Sequence, residues 1–551
     1  MLSIRHRCGP APDRTRRHPN SQEADITSQA EAAATTRDPA HGASRHGEGP
    51  PTRPRSVAPF VTALVPALVA TALGLWGIER QNSMWRDESV TYQVAHRPLG
   101  ELGALLEHID AVHGLYYLLM HGVFALWDGG LVALRLPSVA ATALAAAGVS
   151  AIGRRLAGPR AGLAAGLVLA VLPVVQEFTQ EGRSYALVCA GVTWATYAYL
   201  RALGARGARW WTAYGLLLAV TCWLHEFAGL ALLAHGLTLV LLRAPRTARR
   251  RWCAAAAGVA LSVLPLALVS VGQSQRQLGW LGRPGLGMWL QFLALAAAGA
   301  LVAWLLLRRS GDAVRDGDRR LVALALPMLT VPAGVLLTVS LIKPWYVERY
   351  VLYGMTGLAL LAGAGLDRAM ARRRRLAPAV RVLTAGLLAL AALAVLLPWS
   401  FLVRSPESRK DDVVAVAHAV EKAARPGDAV LFLPSRRREW LLSFPEVHAR
   451  LHDLALAESP GASGTLQGTE VPVGVLRHRL LAADRVIALT DPVGQPLDTV
   501  PQEVTKRHVL RTSFQVCART AVRGAQVVVY ARPGHCGARE RTFEADEMSR
   551  M

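Results

Sequence analysis

The sequence predicts an all-α polytopic membrane protein with a small extracytoplasmic α/β domain at its C-terminal end. Hydrophobic residues make up 52% of the 551 residues, and the mean hydropathy is +0.27. This composition is more apolar than that of an ordinary soluble enzyme. Apolar runs of about 18 residues or more recur, and each is long enough to cross a hydrocarbon core. The last part of the chain is instead charged and carries short strand-like runs.

The formal net charge of +22 has an explanation other than nucleic-acid binding. The arginines occur in short clusters between apolar runs, where the orientation of helices in the membrane accounts for them. We therefore expect no nucleic-acid partner.

The N-terminal segment 1–56 is rich in Arg, Pro, Ser, Thr and Ala and has no apolar periodicity, which predicts a disordered tail. No short apolar signal core precedes the first long apolar run, so we expect no cleavable secretory peptide. A basic tail before a first span favours a cytoplasmic N-terminus. The expected domains are this tail, a membrane domain at 57–403 and a soluble domain at 404–551.

Eleven apolar segments predict eleven membrane-spanning helices, so the two ends of the chain are expected on opposite sides of the plasma membrane. The C-terminal domain then lies outside the cell. The approximate spans are 57–79, 131–153, 158–176, 184–203, 209–224, 226–243, 251–271, 287–308, 320–342, 350–368 and 379–401.

The apolar segment 115–127 is left out of this count because it is short for a crossing and carries His121 in its middle. The positive-inside rule supports the omission. With 115–127 at the outer interface, every later cytoplasmic loop carries an arginine cluster, whereas counting it as a span would put those clusters outside. The preceding segment 99–109 has leucines at helical spacing and also suits an interfacial helix. The clusters lie at 154–160, 201–209, 243–251, 308–320 and 368–375.

Acids, histidines and isolated cations gather on the expected outer side. The acidic pair Asp87-Glu88 follows the first span, where two carboxylates are costly beside hydrocarbon and unnecessary for insertion. The pair therefore predicts a catalytic role, although an exposed acidic loop or a cap for the next helix would also explain it.

Three further motifs face the same side: Asp110-x-x-His113-x-x-Tyr116-Tyr117, Gln180-Glu181-x-Arg183-x-Tyr185 and Arg349-Tyr350. With the acidic pair, they resemble the multi-span glycosyltransferases of the GT-C fold, in particular the protein O-mannosyltransferases and the lipid A aminoarabinose transferases. The similarity covers roughly residues 57–368. Relatives often have His-Pro-Pro-Leu-Tyr-Tyr, whereas this chain has the shorter His113-Gly114-Leu115-Tyr116-Tyr117, which puts the role of His113 in doubt.

The resemblance implies transfer of a sugar from a polyprenyl-phosphate carrier to an acceptor at the outer face of the membrane. It makes Asp87 the general base and Glu88 a neighbour that shapes the pocket or positions the acceptor. Arg183 and Arg349 are the candidate phosphate ligands, because a guanidinium offers paired donors and keeps its charge. Arginine snorkelling at a helix end is the competing interpretation. Lys343 is a further candidate, although lysines commonly flank spans.

The remaining candidates each keep a structural alternative. Glu181 would orient Arg183 or form an ion pair within its loop, and Tyr185 would line the carrier site. Asp110, His113 and Tyr117 would contact the donor sugar, and the first two could also bind a metal, but two residues do not make a metal site. A satisfied interfacial histidine is the alternative for His113. His225 would reach the substrate cavity or cap a helix.

A divalent metal ion is possible and no cofactor is certain: the first outer loop lacks an Asp-x-Asp sequence, and relatives differ in their metal dependence. Besides the lipid-linked donor, the expected partners are membrane lipid and a protein, lipid or glycan acceptor.

The C-terminal domain is expected to be α/β because a helical pattern at 411–424 precedes three strand-like runs at 429–433, 486–489 and 527–530. Cys517 and Cys536 both lie in this domain, where an oxidising environment permits a disulfide. The domain would support the membrane part or dock the acceptor.

Two other functions remain open at this point. A transporter or lipid flippase should place its polar residues near the middle of its spans, whereas the charges here lie at span ends. A non-catalytic membrane scaffold would differ from an enzyme in whether Asp87 and Arg183 meet in one cavity.

Overall fold

The computed structural model describes residues 59–204, 208–279, 281–308, 316–373 and 377–536. The predicted disordered tail at 1–56 lies outside these residues.

Fifteen α-helices precede the C-terminal domain in the described residues, joined by short turns. The helices are α1 (Pro59–Leu75), α2 (Arg86–Ala95), α3 (Leu99–His108), α4 (Gly114–Leu126), α5 (Gly130–Ala157), α6 (Pro159–Val171), α7 (Pro173–Thr179), α8 (Tyr185–Gly204), α9 (Arg209–Leu224), α10 (Leu230–Leu241), α11 (Arg246–Leu278), α12 (Leu286–Leu307), α13 (Asp316–Val339), α14 (Met355–Arg373) and α15 (Pro378–Val403). Single 3-10 turns occupy Ala111–His113, Glu226–Gly229, Glu348–Gly354 and Pro406–Ser408.

Several of these helices are long and apolar enough to cross a membrane. By length and composition alone, five described helices qualify, and a sixth span is added if the pair α6 and α7, bent by 64°, is counted as one. Each of the eleven predicted spans coincides with a helix, which confirms the mainly helical membrane architecture. The count of eleven crossings stays a prediction, because helices such as α1 and α10 are shorter.

The segment that the sequence analysis kept out of the membrane forms the short helix α4. Its 13 residues span roughly 20 Å at 1.5 Å per residue, less than the hydrocarbon thickness. Tyr116, Tyr117 and Met120 are fully buried on one face, and the His121 ring lies 2.8 Å from the Ala95 carbonyl oxygen. The helix therefore packs beneath α2, close to the candidate acidic pair.

Small residues let the membrane helices approach closely. A Cβ on Gly162 of α6 would lie 2.5 Å from the Ser150 carbonyl oxygen of α5, and a Cβ on Gly363 of α14 would lie 2.4 Å from the Ala165 nitrogen. Helices in lipid associate through such contacts, since van der Waals packing has to replace the hydrophobic effect. These contacts hold α5, α6 and α14 against one another near the turn between α5 and α6.

The C-terminal domain, residues 404–536, is α/β as predicted. Its helices are α16 (Val413–Ala423), α17 (Arg438–Leu441), α18 (Pro445–His448), α19 (Val473–Ala482) and α20 (Pro501–Ser513), with one 3-10 turn at Ser435–Arg437. Its strands are β1 (Ala429–Leu433), β2 (His452–Asp453), β3 (Leu456–Glu458), β4 (Thr469–Glu470), β5 (Arg485–Thr490), β6 (Gln515–Val522) and β7 (Ala525–Ala531). The three predicted strands correspond to β1, β5 and β7.

A five-stranded mixed sheet forms the centre of this domain, in the order β2-β1-β5-β7-β6. Strand β1 is parallel to β2 and β5, whereas β7 is antiparallel to β5 and β6. Alternate residues of β1 face opposite sides: Val430 and Phe432 pack with α16 and α17, while Leu431 packs with α19 and α20. Helices thus cover both faces, as the unbroken apolar runs indicate.

The disulfide between Cys517 and Cys536 is present, with the two Cα atoms 5.4 Å apart. It ties the end of β7 to β6, as the sequence analysis allowed.

Candidate active site

A cavity of about 400 Å³ opens between the N-terminal end of α2, the C-terminal end of α11 and the turns after α7, α9 and α13. It brings together polar residues that are far apart in the sequence. Seven of the eleven predicted site residues line it: Asp87, Asp110, His113, Arg183, Tyr185, His225 and Arg349.

The two acids of the pair point in different directions. Both lie in the first turn of α2, where adjacent side chains are about 100° apart around the helix axis. Asp87 faces the cavity and its side chain keeps 25% of its exposure, whereas Glu88 is fully buried on the other side. Only Asp87 is therefore placed to meet a ligand.

Glu88 lies in a buried ion cluster behind the cavity. The Arg135 guanidinium donates to both carboxylate oxygens of Glu88 at 2.7 Å, and Arg80 Nη1 donates at 3.3 Å. The Gly182 backbone N–H donates a further bond at 3.0 Å. Burial opposes ionisation, but the charges of Arg135 and Arg80 outweigh it and lower the pKa of Glu88 to about 2. The geometry does not support the expected catalytic role of Glu88, because its carboxylate is saturated by the protein.

Arg349 links two other predicted residues across the cavity. Its Nη2 donates to Asp87 Oδ2 at 3.4 Å, and its Nε donates to the Tyr185 hydroxyl at 3.2 Å. The guanidinium carbon lies 5.5 Å from the centroid of the Trp85 ring, a cation–π distance. Arg349 is thus held by a carboxylate, a hydroxyl and an aromatic face, while 17% of its side chain remains exposed.

Arg183 is buried among neutral partners. Its Nη1 donates to the Thr91 hydroxyl and to the Tyr117 hydroxyl, both at 3.3 Å, and its Nε has no hydrogen-bond partner in the described part of the chain. No described carboxylate lies within ion-pair distance of it, although it lines the cavity. A guanidinium cannot shed its charge at neutral pH, so this arrangement favours an anionic ligand.

Tyr117 connects Arg183 to Asp110. Its hydroxyl donates to Asp110 Oδ2 at 2.8 Å, and Gln277 Nε2 of α11 donates to Asp110 Oδ1 at 2.5 Å. Asp110 has φ +61°, a left-handed conformation that aspartate tolerates better than most residues. Tyr117 itself does not line the cavity; it holds two residues that do.

Two imidazole rings form another part of the wall. The His113 and His225 ring centroids are 5.8 Å apart, and His225 lies 4.5 Å from the Tyr350 ring centroid. Burial, with the nearby charge of Arg183, lowers the pKa of His113 well below its usual value and that of His225 to about 3. Both rings are therefore neutral. Their buried Nδ1 atoms have no hydrogen-bond partner among the described residues.

Glu181 does not orient Arg183, and it forms no ion pair within its own loop. Its partner is Arg409, from the segment after α15, with Nη2 3.4 Å from Glu181 Oε2. Burial raises the pKa of Glu181 to about 7, against the opposing charges of Arg409 and Arg349. Glu181 lies behind the cavity and joins the membrane part to the C-terminal domain.

Lys343 is exposed and does not line the cavity. Its Nζ lies 5.7 Å from the ring centroid of Trp345, and that ring does line it. The geometry therefore favours the ordinary role of a lysine that flanks a span.

Sequence reasoning missed one wall of the cavity. Ser270, Ser274 and Gln277 occupy one face of α11 near its C-terminal end, and Glu226 accepts a 2.9 Å bond from the Ser270 hydroxyl. The spacing of three and four residues is a usable signal, because it places the three side chains on one helix face. Arg86 also lines the cavity.

Metal ligands do not cluster in the described ranges: no three His, Cys, Asp or Glu side chains are placed together to hold an ion. Asp87, Asp110, His113, His225 and Glu226 all line the cavity, but in the described part of the chain no three of them are close enough together to hold an ion.

Comparison with known proteins agrees with the sequence motifs. Residues 115–270 match the family model described as dolichyl-phosphate-mannose-protein mannosyltransferase. The fold is similar to that of ArnT from Cupriavidus metallidurans bound to undecaprenyl phosphate, with a TM-score of 0.57 and 15% identity over 86% of this chain and 98% of that one. The apo state of ArnT gives a TM-score of 0.56 at the same identity and coverage. The expected resemblance to GT-C glycosyltransferases is thus confirmed.

A weaker likeness, with a TM-score of 0.48 and 13% identity over 79% of this chain and 69% of that one, is to the Archaeoglobus fulgidus oligosaccharyltransferase, and it bears on no conclusion. No curated protein matches the chain by sequence.

Proposed function

We propose that this chain, which has the fold of GT-C glycosyltransferases, transfers a sugar from a polyprenyl-phosphate carrier to an acceptor at the outer face of the membrane. The name of the matched family and the lipid phosphate bound to ArnT both support this class of donor. Asp87, Arg183 and Arg349, predicted separately from the sequence, line one cavity.

The observation that carries the proposal is the charge of Arg183. It is 6% exposed and faces the cavity with neutral partners only among the described residues. Asp87 and Asp110 attract Arg183 only through space and form no ion pair with it in the described residues, so an anionic ligand would supply a direct counter-charge. A phosphate leaving group fits this requirement because a guanidinium offers it paired donors.

Asp87 is the group best placed to act as the base. The acceptor hydroxyl oxygen attacks the anomeric carbon of the donor while the bond from that carbon to the carrier phosphate oxygen breaks. Asp87 takes the hydroxyl proton, and the lipid phosphate leaves with the bonding electron pair. Arg183 and Arg349 stabilise the charge that develops on the phosphate.

Arg349 is poised for a double role because it already contacts Asp87 and Tyr185. In the free enzyme its hydrogen bond fixes the direction of the Asp87 carboxylate. When the phosphate binds beside Arg349, the guanidinium groups of Arg349 and Arg183 both donate to the phosphate oxygens.

The wall formed by the two histidines, Glu226 and α11 suits the sugar. Uncharged His113 and His225 have free ring nitrogens, and Ser270, Ser274 and Glu226 offer hydroxyl and carboxylate groups. Such groups recognise sugar hydroxyls, whereas Tyr185 and Tyr350 provide ring faces for the apolar side of a sugar or of the carrier.

The proposed orientation follows the positive-inside rule. Eleven crossings place the N-terminus in the cytoplasm, and both the cavity and the C-terminal domain on the extracytoplasmic side of a bacterial-type plasma membrane. The disulfide between Cys517 and Cys536 suits an oxidising compartment. Reporter fusions after residues 243 and 536 should show a cytoplasmic and an extracytoplasmic location, respectively.

A transporter or flippase is the rival function, and the position of the charges disfavours it. Asp87, Arg183 and Arg349 all lie at helix ends or in turns, and the cavity lies at one end of the helices. A translocation pathway requires polar groups near the centre of the spans.

The test is sugar transfer from a lipid-linked donor in membranes that contain wild type, Asp87→Asn or Glu107→Gln. Glu107 is an exposed acid of α3 outside the cavity and serves as the matched control. We expect loss of transfer only in Asp87→Asn, with mass spectrometry following the lipid-linked sugars. Equal transfer by all three proteins would remove Asp87 from the chemistry.

A further inference from the structure

A second cavity, of about 390 Å³, lies in the C-terminal domain, away from the candidate active site. We call it the strand-end cleft. Leu433 and Pro434 at the end of β1 and the loop 490–498 after β5 form one side, and α20 forms the other. None of the proposed steps of sugar transfer uses it.

The topology of the sheet explains why a cleft forms there. After β1 the chain leaves towards α17, which packs on the face of Val430 and Phe432. After β5 it leaves towards α20, which packs on the opposite face with Leu431. Adjacent parallel strands whose connections diverge in this way open a crevice at their carboxyl ends, and α/β proteins bind ligands in such crevices.

The cleft carries an excess of positive charge, because three arginines and two aspartates line it. Arg507, Arg511 and Arg519 line it, and none of them forms an ion pair with a carboxylate in the described residues. Arg507 instead donates to the Asp498 carbonyl oxygen at 2.5 Å, and Arg519 donates to Gln526 Oε1 at 3.2 Å.

Of the two acids that line the cleft, Asp491 is held by arginines outside it. Asp491 receives bonds from Arg436 at 2.7 Å and from Arg437 at 2.6 Å. Asp498 accepts from the Val500 backbone N–H at 3.0 Å. Asp498 lines the cleft as well, but no described carboxylate forms an ion pair with Arg507, Arg511 or Arg519.

Apolar side chains border the same cleft. Val493 and Leu497 in the loop after β5 are 82% and 71% exposed. Exposed apolar residues beside unpaired arginines suit a ligand that has an apolar part next to an anionic group.

We propose that the strand-end cleft binds a phosphate group, supplied either by a lipid headgroup or by a soluble phosphate compound. Arg511 and Arg507 contact the phosphate oxygens, and Val493 and Leu497 contact the apolar part when the source is a lipid. The site is separate from the cavity of Arg183 and Arg349, and occupation of the cleft requires no sugar transfer.

The test titrates the full-length protein in detergent with inorganic phosphate and with dihexanoyl phosphatidate, and measures binding by calorimetry. Arg511→Gln and Arg507→Gln remove one charged donor each, and Arg511 is exposed, so that variant should fold. Arg477→Gln, an exposed arginine of α19 outside the cleft, is the matched control. The cavity of Arg183 and Arg349 also binds phosphate in the proposed function. Binding is therefore assigned to the strand-end cleft only where it is weakened in Arg511→Gln or Arg507→Gln.

We expect Arg511→Gln to weaken binding of at least one probe by about tenfold and Arg477→Gln to leave it unchanged. Tighter binding of phosphatidate than of phosphate, lost in Val493→Ser/Leu497→Ser, identifies a lipid source, and equal binding identifies a soluble one. Unchanged affinity for both probes in Arg511→Gln and Arg507→Gln overturns the proposal. Transfer activity is measured separately, so failure of one proposal does not decide the other.

Discussion

Arg86 Nε donates to Glu439 Oε1 at 2.6 Å, an ion pair between the first turn of α2 and the C-terminal domain. Arg86 directly precedes Asp87, and its backbone N–H donates to Asp411 Oδ1 at 2.7 Å. Ser89 and Ser443 hydroxyls form a further contact at 2.7 Å. The C-terminal domain therefore holds the helix that carries the proposed base.

Breaking this ion pair should reduce transfer without removing a group from the chemistry. We expect Glu439→Gln to lower kcat about tenfold, because Asp87 loses the support that fixes its direction. Transfer kinetics from a lipid-linked donor measure the effect. Glu446→Gln, an exposed acid of the same domain, is the control. A kcat for Glu439→Gln equal to that of the control would show that this ion pair does not position Asp87.

Substitution of Asp87 should affect mainly catalysis, whereas substitution of Glu88 should affect mainly stability. We expect Asp87→Asn to lower transfer about 10²- to 10⁴-fold with little change in Tm. Glu88→Gln instead leaves Arg80 and Arg135 buried without a counter-charge, which costs about 3–5 kcal/mol and lowers the Tm. Thermal unfolding and transfer assays on both variants check this. A large Tm loss in Asp87→Asn would contradict the assignment.

Arg183→Lys should weaken binding of the carrier. Lysine keeps the charge but offers no paired donors, so the affinity for a polyprenyl phosphate should fall about tenfold. Competition of the free lipid phosphate against the donor measures it. Arg283→Lys, an exposed arginine between α11 and α12, is the control. Equal inhibition of wild type and Arg183→Lys would place the phosphate elsewhere.

Glu181 predicts a pH dependence of stability. Burial raises its pKa from 4.5 to about 7 in the folded protein. At a pH between these two values, Glu181 holds its proton in the folded state and has released it in the unfolded state. Protonated Glu181 therefore contributes about 3 kcal/mol to the free energy of unfolding below the unfolded pKa, and this contribution is lost as pH rises through the folded pKa.

The Tm should therefore fall as pH rises from about 5 to about 8, and Glu181→Gln should flatten this part of the profile. Thermal unfolding across that range is the measurement, with Glu107→Gln as the control. The same decline in Glu181→Gln as in wild type would assign the dependence to another group.

Local patterns were sufficient for most of the helices before the C-terminal domain, for three of the strands and for seven of the residues that line the cavity. Hydrophobic runs and periodicity report burial within a single element, and the outer-face motifs placed Asp87, Arg183 and Arg349 on one side. The same patterns could not separate Asp87 from Glu88, because two neighbouring acids look alike until the helix rotation sends one of them into the protein.

Long-range partners were not predictable. Arg409 for Glu181, Arg135 for Glu88 and Glu439 for Arg86 lie far away in the sequence, and each looks like an ordinary surface charge there. Burial fixes the positions of these ion pairs, and which side chains are buried depends on how several helices pack together.

The sequence by itself determined the membrane class, the helical segments, the α/β character of the C-terminal domain and the set of candidate residues, since each depends on composition and local spacing. Only the tertiary structure decided which candidates share the cavity, which carboxylate is free to act and which arginine lacks a counter-ion. The reason is physical: a side chain's charge and reach depend on the groups packed around it, and those groups come from distant parts of the chain.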